Sequence, residues 1–164
     1  MIERAVVNAG PLVALSLLGQ LELLPALFSE VWVPQSVFNE VAVAGIGKPG
    51  AQSLQSEAWQ KRVRTSPLPD PLLVMELDAG EADVISLARH LSPCIAVIDE
   101  RRGRRVAQNV YGLPVKGTAG LLVEAQRRGL ISGVGARLKA LRDAGYFIAD
   151  SVIVAACLAA GELP

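Results

Sequence analysis

Short apolar runs and amphipathic stretches alternate along this chain from one end to the other. Ala5-Val6-Val7, Val31-Trp32-Val33 and Ile95-Ala96-Val97-Ile98 are compact, partly β-branched runs bounded by turn residues, and they read as buried strands. Val63 to Thr65 reads as a weaker edge strand, and Leu113-Pro114-Val115-Lys116 as a short fifth. Helix-period segments lie between them. Leu12 to Leu18 follows the turn Asn8-Ala9-Gly10-Pro11 and is closed by Gly19, and Leu21 to Phe28 forms a second short helix. Gln35 to Ala44 places Val37, Val41 and Ala44 on one face and Glu40 on a neighbouring one. Pro49 to Trp59 reads as one helix, and Asp70 caps another from Pro71 to Leu77. Asp78-Ala79-Gly80 breaks the chain before Glu81 opens a helix to His90, with Val84, Leu87, Ala88 and Leu91 inward. Glu100 to Tyr111 reads as a helix with Asp99 at its cap. Helices over Ala119 to Arg128, Arg137 to Ala144 and Ser151 to Ala160 complete the pattern.

Strand and helix in alternation predict a parallel sheet covered on both faces, an α/β fold. Crossovers are right-handed, so the sheet reverses its winding to receive helices on both sides. The reversal opens a crevice at the carboxyl ends of the flanking strands. Residues 1–164 are expected to form one domain, with the last helices, about 132–164, packed on the core or forming a dimer face.

Composition narrows the function classes. Sixteen Lys and Arg balance sixteen Asp and Glu, which argues against a large nucleic-acid surface working by bulk charge and leaves local patches. One histidine and two distant cysteines, Cys94 and Cys157, cannot build a tetrahedral zinc site, and the cysteines read as buried thiols. No apolar run reaches the ~20 residues that span a bilayer, and Met1-Ile2-Glu3-Arg4 does not open like a signal peptide, so no membrane association and a cytoplasmic location are expected. Gly45-Ile46-Gly47-Lys48-Pro49-Gly50 spells G-x-G-x-x-G, but it follows a helix and carries a proline in place of an amide donor. It reads as a surface loop.

Four oxygen-bearing side chains fall where the crevice gathers them. Asn8 ends the first strand, Asp99 ends the fourth, Glu40 lies on the helix after the second, and Glu81 sits in the first turn of the helix leading into the fourth. Hard cations such as Mg²⁺ take oxygen ligands, and two or three carboxylates suffice. Each position also has a plain structural reading: Glu81 as a first-turn acid, Glu40 as surface, Asp99 as a cap. The run Arg101-Arg102-Gly103-Arg104-Arg105 follows directly, with Arg101 and Arg105 on one helix face. Such guanidinium forks either grip phosphates or form a solvated face. Thr118, at a strand-to-helix turn, either touches a phosphate or caps its helix.

The ordered set Val7-Asn8-Ala9-Gly10-Pro11-Leu12, Val33 to Val41, Gly80-Glu81-Ala82-Asp83-Val84-Ile85-Ser86-Leu87-Ala88 and Ile98 to Ala107 resembles a PIN-domain protein. It resembles most the uncharacterised prokaryotic branch related to VapC-type toxin ribonucleases, and Lys116 to Leu122 and Arg127 to Ile131 fit that branch too. The resemblance implies a three-layer α/β/α sandwich with a five-stranded parallel sheet of order 3-2-1-4-5. It implies cleavage of RNA dependent on Mg²⁺ or Mn²⁺, with Glu40, Glu81 and Asp99 as catalytic acids. The metal set would be Asn8, Glu40, Glu81, Asp99 and Glu100. The expected nucleic-acid contacts are Arg101, Arg102, Arg105 and Thr118, and the expected partners are RNA, a small antitoxin protein and a second copy of the chain as a homodimer.

The chain departs from the pattern at its first strand. PIN nucleases open with Asp followed by Thr or Ser, and here the positions read Asn8-Ala9-Gly10. An amide oxygen ligates a hard cation but brings no charge. The competing expectation is a weakened or inactive PIN-like module that binds nucleic acid or protein. A third is a nucleotide-binding protein using the Gly117-Thr118 turn.

Overall fold

The sheet is built around a strand with no solvent-facing side. β1 (Arg4–Val7) carries Ala5, Val6 and Val7, all fully buried, as a strand covered by helices on both faces must. The structure, a computed structural model, describes residues 3–164. The other strands are β2 (Glu30–Pro34), β3 (Val63–Arg64), β4 (Ile95–Val97) and β5 (Val115–Lys116). All pair in parallel, in the order β3-β2-β1-β4-β5. The chain winds from β1 outward through β2 to β3, then returns to the other side of β1 for β4 and β5. The winding therefore reverses between β1 and β4, where Val7 lies level with Val97.

The helices are α1 (Ala9–Leu17), α2 (Leu23–Leu27), α3 (Gln35–Phe38), α4 (Ala51–Leu54), α5 (Glu57–Gln60), α6 (Pro71–Glu76), α7 (Ala79–His90), α8 (Arg101–Asn109), α9 (Thr118–Arg127), α10 (Val134–Asp143) and α11 (Asp150–Ala159). α7 lies along β1, β2 and β4, while α9 packs on α1 and α2 and carries α10 and α11. The result is the five-stranded α/β sandwich with the strand order expected of a PIN-like fold. The last two helices join the common core through Leu138, Leu141, Ile153 and Cys157. Among the described residues no helix is long and apolar enough to cross a membrane.

Four local expectations need correction. Gln35 to Ala44 is not one α-helix: α3 passes into a π-helical turn over Asn39–Val43, where Ala44 N–H reaches back five residues to Asn39 O at 2.8 Å. Pro49 to Trp59 divides into α4 and α5, because extended backbone at Ser56 stops the first helix and its side chain caps the second through Trp59 N–H. Asp78-Ala79-Gly80 does not break the chain; Asp78 is the N-cap and α7 starts at Ala79. Asp99 does not cap α8, whose N-cap is Glu100.

Candidate functional site

Strand ends and helix starts deliver the polar side chains to the β1/β4 crevice. Asn8 is the first residue past β1, and its backbone N–H donates to Val97 O at 3.0 Å, which fixes β1 to β4 at the carboxyl ends of the strands. Asp99 follows β4 after Ile98, itself held to β5 through Lys116 O at 2.9 Å. Glu40 comes from the π-helical turn, a feature that often marks functional positions. Glu81 is the third residue of α7. All four, with Asp78 and Glu100, line one cavity of about 1430 Å³.

Glu81 is only 7% exposed and is locked by a capping box. Its backbone N–H donates to Asp78 Oδ1 at 2.8 Å, and its own Oε2 accepts the Asp78 N–H at 3.3 Å. Burial, then the neighbouring Asp78 charge, pushes its carboxyl above the ordinary range. Gly103 lets α8 come close: a Cβ there would stand 3.2 Å from Ile98 Cγ2 and 3.4 Å from Glu81 Oε1. The glycine inside the arginine run is thus a packing contact against the site.

Asp99 accepts three hydrogen bonds. Its Oδ1 accepts the Thr118 N–H at 2.7 Å and its Oδ2 accepts the Thr118 hydroxyl at 2.6 Å. The Tyr146 hydroxyl also donates to Oδ2. Asp99 therefore caps α9, nineteen residues later, in place of the helix beside it. Thr118, 2% exposed, is spent on this bond network. Burial first, and then the Asp99 charge, drives the Tyr146 phenol well above its usual range, so it stays a donor. The hydroxyl stands where a side chain at position 10 would go, 2.9 Å from a Cβ built on Gly10.

The opposite flank is open to solvent, and Glu40 and Asp78 are exposed. Asn8 is 6% exposed, yet its side chain makes no capping bond and no other hydrogen bond among the described residues. Glu40 has no ion-pair partner there either, and partial burial followed by the Asp78 charge raises its carboxyl. A Cβ on Gly80 would lie 3.3 Å from Glu40 Oε2, 3.5 Å from Asn8 Oδ1 and 3.5 Å from Asp78 Oδ1. Two carboxylates and an amide oxygen facing one space that a methyl would fill are a donor set of the kind Mg²⁺ and Mn²⁺ take, so the residues fit such an ion. Glu40, Glu81 and Asp99 do not close into one knot: among the described residues no group of three or more Asp, Glu, His or Cys stands close enough to hold a metal ion. Glu100 is exposed at the rim.

Of the arginines, Arg101 and Arg105 line the cavity, joined by Arg104, which donates to Ile98 O at 3.0 Å. Arg102 turns outward and pairs with Glu76 at 3.0 Å. Asp83 points elsewhere and takes the Ser36 hydroxyl at 2.5 Å. Sequence reasoning missed Asp78, Tyr146 and Phe147, the last 87% exposed on the cavity wall. Asp78 was legible as the first letter of an Asp-x-x-Glu capping box, and nothing local marked Tyr146.

A family model, DUF3368, described as a PIN domain, matches residues 4–162. The chain belongs to this PIN-domain family, whose fold is one associated with nucleases. No curated protein and no solved structure matches it.

Proposed function

We propose that the protein is a metal-dependent ribonuclease. The observation that carries this reading is that Asn8, Glu40, Glu81 and Asp99, from four separate segments, line one cavity whose other wall bears Arg101, Arg104 and Arg105. Asn8, Glu40, Glu81, Asp99 and Glu100 are the residues that would hold Mg²⁺ or Mn²⁺ in this groove, directly or through water. Such an ion neutralises phosphate charge and acidifies a water. Arg101 and Arg105 grip the RNA backbone and set its position. Exposed Phe147 offers a face on which an unpaired base stacks, which favours single-stranded RNA. Water adds to phosphorus as one ester oxygen leaves in line, and the acidic groove takes up the proton.

The test is cleavage of single-stranded RNA with Mn²⁺. Wild-type protein should cut, chelation should stop it, and Glu40→Gln should lower the rate by about 10² or more. Cutting that survives both chelation and Glu40→Gln overturns the reading.

One observation favours a second reading. Asn8 brings no charge where the family pattern has Asp, and Ala9 brings no hydroxyl, as in a PIN scaffold kept for binding. Activity that arises only in Asn8→Asp supports it. Within the first reading, the chain is the toxin-like half of a pair with a small antitoxin. The homodimer contact is assigned to α11, which exposes Val152, Val154 and Leu158. Val154→Lys should convert a dimer to a monomer in solution.

A further inference from the structure

We infer that Tyr146 is a positioning residue for the groove: its hydroxyl, brought in from the α10–α11 connection, braces Asp99, and position 10 is a glycine that admits it, so that a hydroxyl carried at position 10 can take over the task. This rests on the reading of the groove as the place of reaction and adds what holds one of its acids still.

A rigid element aims Tyr146. At the end of α10, Gly145 takes a left-handed φ of 93°. Its N–H donates to Arg142 O at 3.0 Å, and the Tyr146 N–H donates to Leu141 O at 3.0 Å. This pair of bonds is the helix-ending turn that glycine makes possible, and it fixes the direction in which the next residue leaves the helix. α10 is itself anchored, since Leu138 and Leu141 are fully buried in the common core. The Tyr146 hydroxyl therefore reaches Asp99 Oδ2 from a separately supported wall of the groove. Thr118 holds the same carboxylate through its N–H on Oδ1 and its hydroxyl on Oδ2. Those two bonds come from one residue at the start of α9, and Tyr146 adds the third from a different element. A carboxylate held from two elements is fixed more narrowly than one hinged on a single residue.

Gly10 is the matching half of the arrangement. It is the second residue of α1 and its φ is not in the left-handed region, so the backbone does not call for a glycine, which weakens a helix. What excludes a side chain is Tyr146: a Cβ at position 10 would lie 2.9 Å from the tyrosine hydroxyl oxygen, too close for non-bonded atoms. The next neighbours of that Cβ are Asp99 Cβ and Asp99 Oδ2, each 3.8 Å away. A hydroxyl one bond beyond the Cβ falls within hydrogen-bond reach of Oδ2. Position 10 and Tyr146 thus address one carboxylate oxygen from one place, and only one of them can fill it.

The experiment compares the full-length wild type with Tyr146→Phe, with Tyr146→Phe plus Gly10→Ala, and with Tyr146→Phe plus Gly10→Ser, each verified as folded by circular dichroism. Amide hydrogen exchange at Thr118 in the metal-free chain reads the bond to Asp99. The kcat and KM for single-stranded RNA with Mn²⁺ read its consequence. Tyr146→Phe should speed Thr118 exchange and lower kcat, each by about tenfold, with KM unchanged. Adding Gly10→Ser should return both toward wild type, and adding Gly10→Ala should not. Wild-type exchange in Tyr146→Phe, or a serine at position 10 that does no better than alanine, overturns the brace and leaves the nuclease reading standing. Faster exchange with kcat unchanged overturns the positioning role. The expected exchange pattern in a chain whose wild type cuts no RNA sustains the brace and overturns the nuclease reading.

Discussion

The two flanks of the acidic groove use the same chemical group for opposite purposes. On the β4 side, Asp99 is surrounded by donors and ties α9 and the α10–α11 connection to the sheet edge. On the β1 side, Asn8 makes no side-chain cap bond and Glu40 is exposed to solvent with no ion-pair partner among the described residues. A carboxylate that accepts three hydrogen bonds from two segments is part of the frame. One left beside another acid, partly desolvated, stores repulsion that a cation would relieve. The contrast separates residues that build the groove from residues that can bind in it, a distinction that shared lining of one cavity does not make.

The strongest way to break the contrast is to remove each flank's acid in turn. Asp99→Ala deletes the cap of α9 and leaves the buried Thr118 hydroxyl and the Tyr146 hydroxyl without an acceptor. It should cost about 3 kcal/mol in urea unfolding, from one cap and two side-chain bonds to a charged group. Asp78→Ala loses a cap alone and should cost about 1 kcal/mol. Equal losses would mean that Asp99 is not the frame. Tyr146→Phe removes a single hydroxyl and leaves Asp99 with Thr118. About 1 kcal/mol is expected in urea unfolding, and no loss would mean that the Tyr146 hydroxyl does not brace Asp99.

Much of this was readable before folding. Runs as apolar as Ala5-Val6-Val7 and Ile95 to Ile98 belong in a sheet buried on both faces, and the alternation of elements fixed the parallel architecture. The crevice follows from where the winding reverses, so Asn8 and Asp99 could be placed together from their strands alone. What sequence could not supply was each side chain's partner. Asp99 looked like a cap for the adjacent helix and instead caps one nineteen residues away, and its third donor, Tyr146, is forty-seven away. Only the register of β4 against β5 and the packing of α10 decide those contacts. Ser56 and the π-helical turn at Glu40 failed for a local reason. The periodicity of Pro49 to Trp59 and of Gln35 to Ala44 suits an unbroken helix, while a serine cap and one shifted hydrogen bond reset the phase without altering the apolar spacing.

The open flank also makes a prediction in pH. Glu40 has its carboxyl raised above 4.5 by burial and then by Asp78, so Mn²⁺ must compete with a proton there. Affinity should begin to fall, as the solution is acidified, at a pH above that at which an ordinary glutamate titrates. An affinity flat down to pH 4.5 would mean that Glu40 is not a ligand.

Glu40→Gln, in the metal-free protein, gives the smallest effect and the sharpest sign. A carboxyl whose folded pKa is raised contributes stability that is fully present below its unfolded value and is lost as pH rises through the folded one. At pH 7 the ionised Glu40 therefore works against the fold. Glu40→Gln should be more stable than wild type there by no more than about 0.5 kcal/mol, because solvent screens a group at the rim. The gain should disappear toward pH 4, where both chains are uncharged at that position. Added Mn²⁺ should invert the order at pH 7, since only the wild type gains the binding energy. A variant less stable than wild type without metal would reveal a donor or cation already paired with Glu40, and the distinction between a filled flank and an open one would fall with it.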